Sequence, residues 1–401
     1  MTLQFKLLID YYVGGGLHVV LKPLVVVAGK ILHRDHDLKR CPTVTVVKMM
    51  GGGSLVVAYP ALLALKGAPS VGKLQLVATP AVAPFAEVLG IFDRIVVIRE
   101  SSLTHFFFDS LRAMRELFRC DAMLDLEVHS RLTTVFSLFT CARNRVGFYT
   151  RDSFWRKWLA THLLFFNTHS GVFRFYDQTA ALFGAAEVSA AQGRAAFRAH
   201  LGLASGPRTG GPARLALAPC CSGLSTERML TPAEWVEILG RREPPIRSGT
   251  ELHLLGAPAD RAPLEELAGM IRTRFPGLVV FNRAGETTLE ESVRLLAESD
   301  ELLSIDSALL HFARLLGVPT MSFWGPTDPA IQLRPTDGDS HAIHYRKLPC
   351  SPCVHIAQEA PCKGNNVCMR LAANPDFPTD LNPPWMVGVD SVSRFARPAA
   401  P

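Results

Sequence analysis

The stretch LLSIDSALLHFARLLGVPTMSFWGPTDP, Leu302 to Pro329, gathers chemistry-bearing residue types at what reads as a strand end. Asp306 and Ser307 close an apolar run, and His311 falls one helical turn further on. A carboxylate, a hydroxyl, the first amides of a helix and an imidazole can therefore face one ligand. That set outlines a cradle for phosphate and sugar. Read more plainly, Asp306 and Ser307 are an N-cap pair and His311 belongs to the helix face. Spacing alone leaves both readings open.

Two other strand ends carry unusual residues. In APCCSGLSTERMLTPAEW, Ala218 to Trp235, small polar residues precede Arg228, and Thr231 with Glu234 has the spacing of a capping box. Arg228 could clamp a diphosphate bidentately, or it could be an ordinary loop arginine. In MMGGGSLVVAYPALLAL a strand runs into Gly51, Gly52 and Gly53, then Ser54 and a helix. The run fits neither the G-x-G-x-x-G pattern nor a Walker lysine motif, and a tight turn without a ligand is its simplest reading. Late in the chain, Cys350-x-x-Cys353, Cys362 and Cys368 have a spacing that could ligate one structural zinc tetrahedrally. Two disulfides or free thiols are the alternatives.

These residues need elements to hold them. From Thr43 onward, short β-rich runs (TVTVVKMM, KLQLVAT, RIVVI, DAMLDLEV, NRVGF) alternate with helical stretches, the rhythm of a parallel sheet wound by helices. The Gly/Pro/Arg-rich segment 205–214 reads as a linker. After it the rhythm resumes with RLALAP, ELHLLG, LVVF, ELLSID and TMSFWG. In such sheets ligands meet the carboxyl ends of strands. The expected organisation is an arm over 1–40, a first domain over 41–204, a linker over 205–214, a second domain over 215–371 and a Pro-rich tail over 372–401.

Composition excludes several classes. With 48% hydrophobic residues the 401-residue chain can fill two cores and is not disordered. The balance of 42 Lys+Arg against 36 Asp+Glu gives a net charge of only +6, so no strong field points to nucleic acid. Seven basic and three acidic side chains lie within 1–48, so much of the excess is local. Nine cysteines, four of them in Cys350–Cys368, fit a reducing compartment better than a secreted disulfide scaffold. The start lacks the marks of a signal peptide and is expected to stay on the mature chain. Leu17 to Ile31 is strongly apolar but interrupted by Lys22 and Pro23, and Lys30, Arg34, Lys39 and Arg40 follow. An arm lying on an anionic membrane and an arm packed on its own domain are both consistent with that pattern, and a spanning helix ranks behind them.

Taken together and in order, these segments resemble glycosyltransferase family 9, the family of the ADP-heptose:lipopolysaccharide heptosyltransferases. The resemblance runs over roughly residues 43–370. It is carried by Tyr59-Pro60-Ala61-Leu62 after the Gly-Ser-Leu turn, DAMLDLEVHSR, ALAPCCSG with ERML, LLGAPAD, the run from GETTLEESV to LLGVPT, and FWGPTDP. It implies an α/β GT-B fold, two Rossmann-like domains facing a central cleft, with a nucleotide-sugar donor on the C-terminal half and the acceptor on the N-terminal half. Such enzymes invert the anomeric centre and require no cofactor or metal for catalysis.

Carried over residue by residue, Asp306, Ser307, Ala308 and His311 fall on the donor-binding motif, and Arg228 on the cationic position that meets the diphosphate. Ser222 and Gly223 fall on the preceding loop, and Thr287, Thr288 and Leu289 where the nucleoside is held. Two positions depart from the family. Ser54 stands where the family has the aspartate presumed to be the general base, and a serine hydroxyl cannot take a proton as a carboxylate can. Either Glu127 or His129 serves instead, or catalysis has been lost. Ala308 replaces a glycine and adds a methyl where backbone should approach phosphate.

The implied protein is an inverting transferase that moves a sugar, a heptose in the leading case, to a lipid-linked or polysaccharide acceptor of the lipopolysaccharide type. It would be cytoplasmic, at the inner face of the membrane, with an anionic lipid surface as partner and no nucleic acid. A catalytically silent nucleotide-sugar-binding relative is the alternative that Ser54 raises. The sheet pattern alone would also suit an unrelated nucleotide-binding α/β protein such as an epimerase.

Overall fold

The computed structural model describes residues 3–151, 153–204, 210–221, 223, 225–336, 340–354, 356–357, 360, 362 and 365–376. Ser222, the first half of segment 205–214 (residues 205–209) and the tail from 377 lie outside them. Contacts divide the chain into two compact units, Met1–Gly193 and Arg194–Pro401.

The N-terminal unit opens with helix α1 (Leu3–Ile9), a π turn (Asp10–Gly14) and α2 (Gly15–Leu32). Strands and helices then alternate as β1 (Thr43–Lys48), α3 (Gly53–Lys66), β2 (Lys73–Ala78), α4 (Ala83–Leu89), β3 (Arg94–Val97) and α5 (Leu103–Glu116). They continue as β4 (Ala122–Asp125), α6 (Arg131–Phe139), β5 (Asn144–Tyr149), β6 (His162–Phe165) and α7 (Val172–Leu182). The six strands form one parallel sheet in the order β3-β2-β1-β4-β5-β6. All of β1 after Thr43 is buried, as expected of a parallel strand covered on both faces. Its last residue, Lys48, is a charge in that buried row.

α8 (Ala190–His200) leads on to the C-terminal unit. There follow β7 (Arg214–Ala218), α9 (Pro232–Gly240), β8 (Glu251–Leu254), α10 (Arg261–Arg274), β9 (Val279–Asn282) and α11 (Leu289–Ala297). β10 (Glu301–Ile305), α12 (Ala308–Leu316), β11 (Thr320–Trp324), α13 (Pro329–Gln332), β12 (His341–Tyr345) and α14 (Val367–Ala373) complete it. Its parallel sheet runs β12-β11-β10-β7-β8-β9. The two sheets thus have the same strand order, a repeat of topology that the sequence does not display as a repeat of residues. In the core, Leu217, Leu303 and Ile305 pack with Trp235 and Leu267, and Trp235 meets Phe323 edge-on at 5.5 Å. Burying each such side chain contributes about 1.5–3 kcal/mol.

The unit boundary at Gly193/Arg194 precedes the expected linker because the end of α8 is tied to the second unit. Phe197 stacks on Phe312, Arg198 Nη1 donates to Leu316 O at 3.1 Å and Arg294 Nη1 donates to Leu201 O at 2.8 Å. α12 ends at Gly317, whose φ of +76° is the left-handed conformation that closes a helix cheaply only with glycine. Helix α1, the π turn and α2 form one continuous 29-residue helix over Gln4–Leu32, through both Lys22 and Pro23. The breaks expected there do not occur.

Candidate functional site

In each sheet the strand order reverses between two hydrogen-bonded neighbours, β1 with β4 and β7 with β10. At such a switch point the loops leave in opposite directions and open a crevice at the strands' carboxyl ends. Both candidate clusters lie at these points.

In the C-terminal unit, β10 delivers Asp306 and Ser307, and the loop after β7 delivers Arg228 from a 3-10 turn, Thr226–Arg228. Arg228 Nη1 donates to Asp306 O at 2.8 Å and lies 3.3 Å from Asp306 Oδ2. Its Nε donates to Ser225 O at 3.2 Å. Asp306 Oδ1 is 3.7 Å from His311 Nε2. Burial lowers His311 to about 4, with Arg314 and Arg228 adding to it against the pull of Asp306. The ring is therefore neutral at pH 7. Ser307 occupies the N-cap of α12 but makes no side-chain cap bond; its hydroxyl sits 3.1 Å from that of Ser304, which in turn donates to Ala218 O across β10 and β7. The start of α12 therefore presents its amides without a hydroxyl bonded to them, the arrangement suited to an anion. Ala308 is the first residue of that helix and is half-buried.

The other expected donor residues are placed differently. Gly223 is exposed in the β7 loop. Thr288 caps α11 in a capping box with Glu291, and the Thr287 hydroxyl lies 2.8 Å from that of Ser292. Both hydroxyls are committed to the helix start. Leu289 opens α11, half-buried.

In the N-terminal unit, Ser54 sits in the first turn of α3 with its hydroxyl donating to Gly51 O at 2.6 Å. Glu127, buried just beyond β4, accepts at Oε1 from Lys48 Nζ (3.1 Å), Met49 N (2.8 Å) and Met50 N (2.9 Å). Burial works to lower Lys48, but Glu127, Tyr176 and Asp125 outweigh it and hold the ammonium above its ordinary value. His129 is exposed on the same loop. Tyr176, raised by burial, meets Ser54 through its hydroxyl. Beneath Glu127, Asp125 accepts from Glu127 N and Thr133 Oγ1 and pairs with buried Arg156 at 3.2 Å. Lys48, Tyr176, Asp125 and Arg156 are the residues that sequence reading missed. Only Lys48 left a signal, a cation ending an apolar strand.

Cys350, Cys353, Cys362 and Cys368 are free thiols. Burial and the neighbouring sulfurs raise Cys353 to about 11 and push Cys368 up to about 12. Their chemistry suits zinc, yet among the described residues no three His, Cys, Asp or Glu side chains are placed to hold an ion.

Two Rossmann-ordered parallel sheets, each with a polar cluster at its switch point, define the GT-B class of α/β architecture. Within that class, residues 217–363 match the model of glycosyltransferase family 9 (heptosyltransferase), the family that the sequence motifs resemble. The lipooligosaccharide heptosyltransferase 2 of Haemophilus influenzae is 32% identical over 84 residues, 21% of this chain and 24% of that relative. Among solved structures, the E. coli heptosyltransferase WaaC with ADP-2-deoxy-2-fluoro heptose superposes with a TM-score of 0.58 at 18% identity, covering 75% of this chain and 92% of that one. The E. coli ADP-heptose lipopolysaccharide heptosyltransferase II gives 0.55 at 15% identity, covering 75% and 92%. A family 9 glycosyltransferase from Veillonella parvula gives 0.57 at 15%, covering 78% and 87%. These structural likenesses are of fold.

Proposed function

We propose that the protein is an inverting glycosyltransferase. It moves a sugar, a heptose in the leading reading, from a nucleotide-diphosphate donor to an acceptor of the lipopolysaccharide type at the cytoplasmic face of the inner membrane. The observation that carries this reading is the Asp306–Arg228–His311 constellation at the start of α12, inside the segment that matches the family. In the reaction an acceptor hydroxyl attacks the anomeric carbon, the bond to the diphosphate breaks, and the hydroxyl proton passes to a base. Arg228 and the amides of α12 are set to receive the negative charge that grows on the leaving diphosphate. Neutral His311 is set to donate a hydrogen bond without competing for that charge. Because these groups supply the charge stabilisation, the transfer step calls for no metal.

Ser54 cannot be the base, and Glu127 is held by three donors on one oxygen. We therefore assign Glu127 to the organisation of the β1 turn and proton acceptance to His129, which is exposed on that loop. Turnover measured against a panel of nucleotide-diphosphate heptoses and hexoses tests the reading. Transfer from at least one donor, with release of the nucleotide diphosphate, is expected. Donor binding without transfer to any lipopolysaccharide-type acceptor would favour the silent relative that Ser54 suggests.

A further inference from the structure

The continuous helix Gln4–Leu32 has a mean hydropathy of 1.6 over its most apolar 18-residue window, of which only 6% is buried. What it does bury is its polar and small side. Lys6 pairs with Glu100. Asp10 accepts from Ser130 Oγ (2.7 Å), Arg131 N (2.9 Å) and Leu132 N (2.9 Å), and so caps α6 from outside. Gly14 is buried where a Cβ would come within 2.6 Å of Arg131 Cβ, so only glycine permits the approach. His18 Nε2 lies 3.2 Å from Arg131 O, and its ring lies 4.5 Å from that of Trp155. These four residues recur every fourth position. In a regular α-helix such a stripe would drift by about 40° per step, and the wider π turn at Asp10–Gly14 offsets part of that drift.

Turning this stripe inward leaves the other faces apolar. Val19, Val20, Leu24, Val27 and Ile31 are each 56–76% exposed, a surface far more apolar than water-facing helices carry. Lys30, Arg34, Lys39 and Arg40 follow at the helix's end, where they suit anionic head groups. On the loop that carries Trp155, exposed Phe154 and Trp158 flank Lys157, whose ammonium lies 5.3 and 5.1 Å from their rings. Aromatic and basic side chains in that combination favour the membrane–water boundary.

Both ends of the helix are fastened to the same folded unit. Lys6 and Asp10 hold the first turns, and beyond the last turn Arg34 Nη1 donates to Cys141 O and His36 Nδ1 lies 2.8 Å from Arg143 O. A helix of this length reaches about 43 Å and could cross a hydrocarbon core of about 30 Å. Crossing would place its two ends on opposite sides and draw Glu100, Arg131 or Arg143 into lipid, at a cost of several kcal/mol for each charge.

We propose that Gln4–Leu32 is an in-plane membrane anchor, sunk along one face into a single leaflet and clamped by its polar stripe to the N-terminal unit. The anchor deepens the membrane-surface reading above and does not depend on sugar transfer. Its occupant is lipid, held by apolar insertion, with the cations contributing attraction that salt screens.

Membranes containing the full chain, with an epitope tag ahead of Met1, provide the test. The protein is expected to stay on the membrane in 1 M salt and in alkaline carbonate, and to leave in mild detergent. Leu24→Glu/Val27→Glu/Ile31→Glu, three changes at exposed positions, is expected to reduce the membrane fraction at least tenfold while the thermal melt and nucleotide-sugar binding stay as in wild type. Protease added to vesicles with the cytoplasmic face outward is expected to remove the tag together with the C-terminal unit. A protected tag would show a spanning helix, release by salt alone a purely electrostatic contact, and a soluble dimer that the triple variant dissociates a second copy of this chain; each would overturn the anchor. Loss of transfer activity with these results intact would count against the enzyme reading only.

Discussion

Asp306→Ala is expected to weaken nucleotide-sugar binding by about 10²–10³-fold, measured by calorimetry, with turnover falling at least as far. The side chains of Asp306 and Arg228 are 8% and 15% exposed, and removing one partner of a buried pair costs about 3–5 kcal/mol, where each 1.4 kcal/mol is tenfold. The carboxylate aims Arg228 through Oδ2 and lies beside His311 through Oδ1. Its loss leaves the guanidinium oriented by neutral groups, among them the carbonyls of Ser225 and residue 306. Asp306→Asn keeps the shape and an acceptor oxygen without the charge, so its affinity should fall between wild type and the alanine variant. Because it preserves packing, it also separates lost binding from lost fold. Wild-type affinity in Asp306→Ala would remove this cluster from the donor site.

The Asp306 cluster was largely legible because its members lie on one strand, one loop and the first turn of one helix, where spacing fixes their geometry. The alternation of strands and helices was legible for the same reason, since burial on both faces of a parallel sheet writes near-continuous apolar runs such as Val44–Val47. Thr287 and Thr288 show the limit of local reading. A helix start that bonds a nucleoside and one that caps itself require the same residues, and in this fold both hydroxyls are taken up locally. Contacts between distant segments left little trace. Nothing near Arg156 announces Asp125, and nothing near Tyr176 announces Ser54. The helix Gln4–Leu32 was obscured because Pro23 and three glycines read as breaks along the chain. One missing backbone hydrogen bond does not stop a helix of this length, and Gly14 is there for contact with Arg131.

Glu127→Gln is expected to lower the melting temperature on the order of 10 °C and turnover with it, although our assignment gives it a positioning role and not that of the base. The side chains of Lys48 and Glu127 are 9% and 11% exposed, so removing the negative charge strands a buried ammonium at a cost of about 3–5 kcal/mol. That is a large fraction of the 5–15 kcal/mol that holds a typical domain together. Lys48→Met added to Glu127→Gln takes away the stranded charge while keeping an acceptor for the Met49 and Met50 amides and filling the volume of the lysine stem. The double variant should therefore recover most of the lost stability and, with the turn restored, most of the turnover. His129→Asn should behave in the opposite way. Its side chain is exposed, so the melt should stay near that of wild type, while turnover falls by about 10²–10⁴, the usual contribution of a positioned base. The two readouts separate the roles because a residue that organises the loop moves both and is rescued by its compensating partner, whereas a proton acceptor moves only the rate. If the double variant regains its stability but stays at least 10²-fold slow while His129→Asn is fully active, Glu127 itself takes the proton.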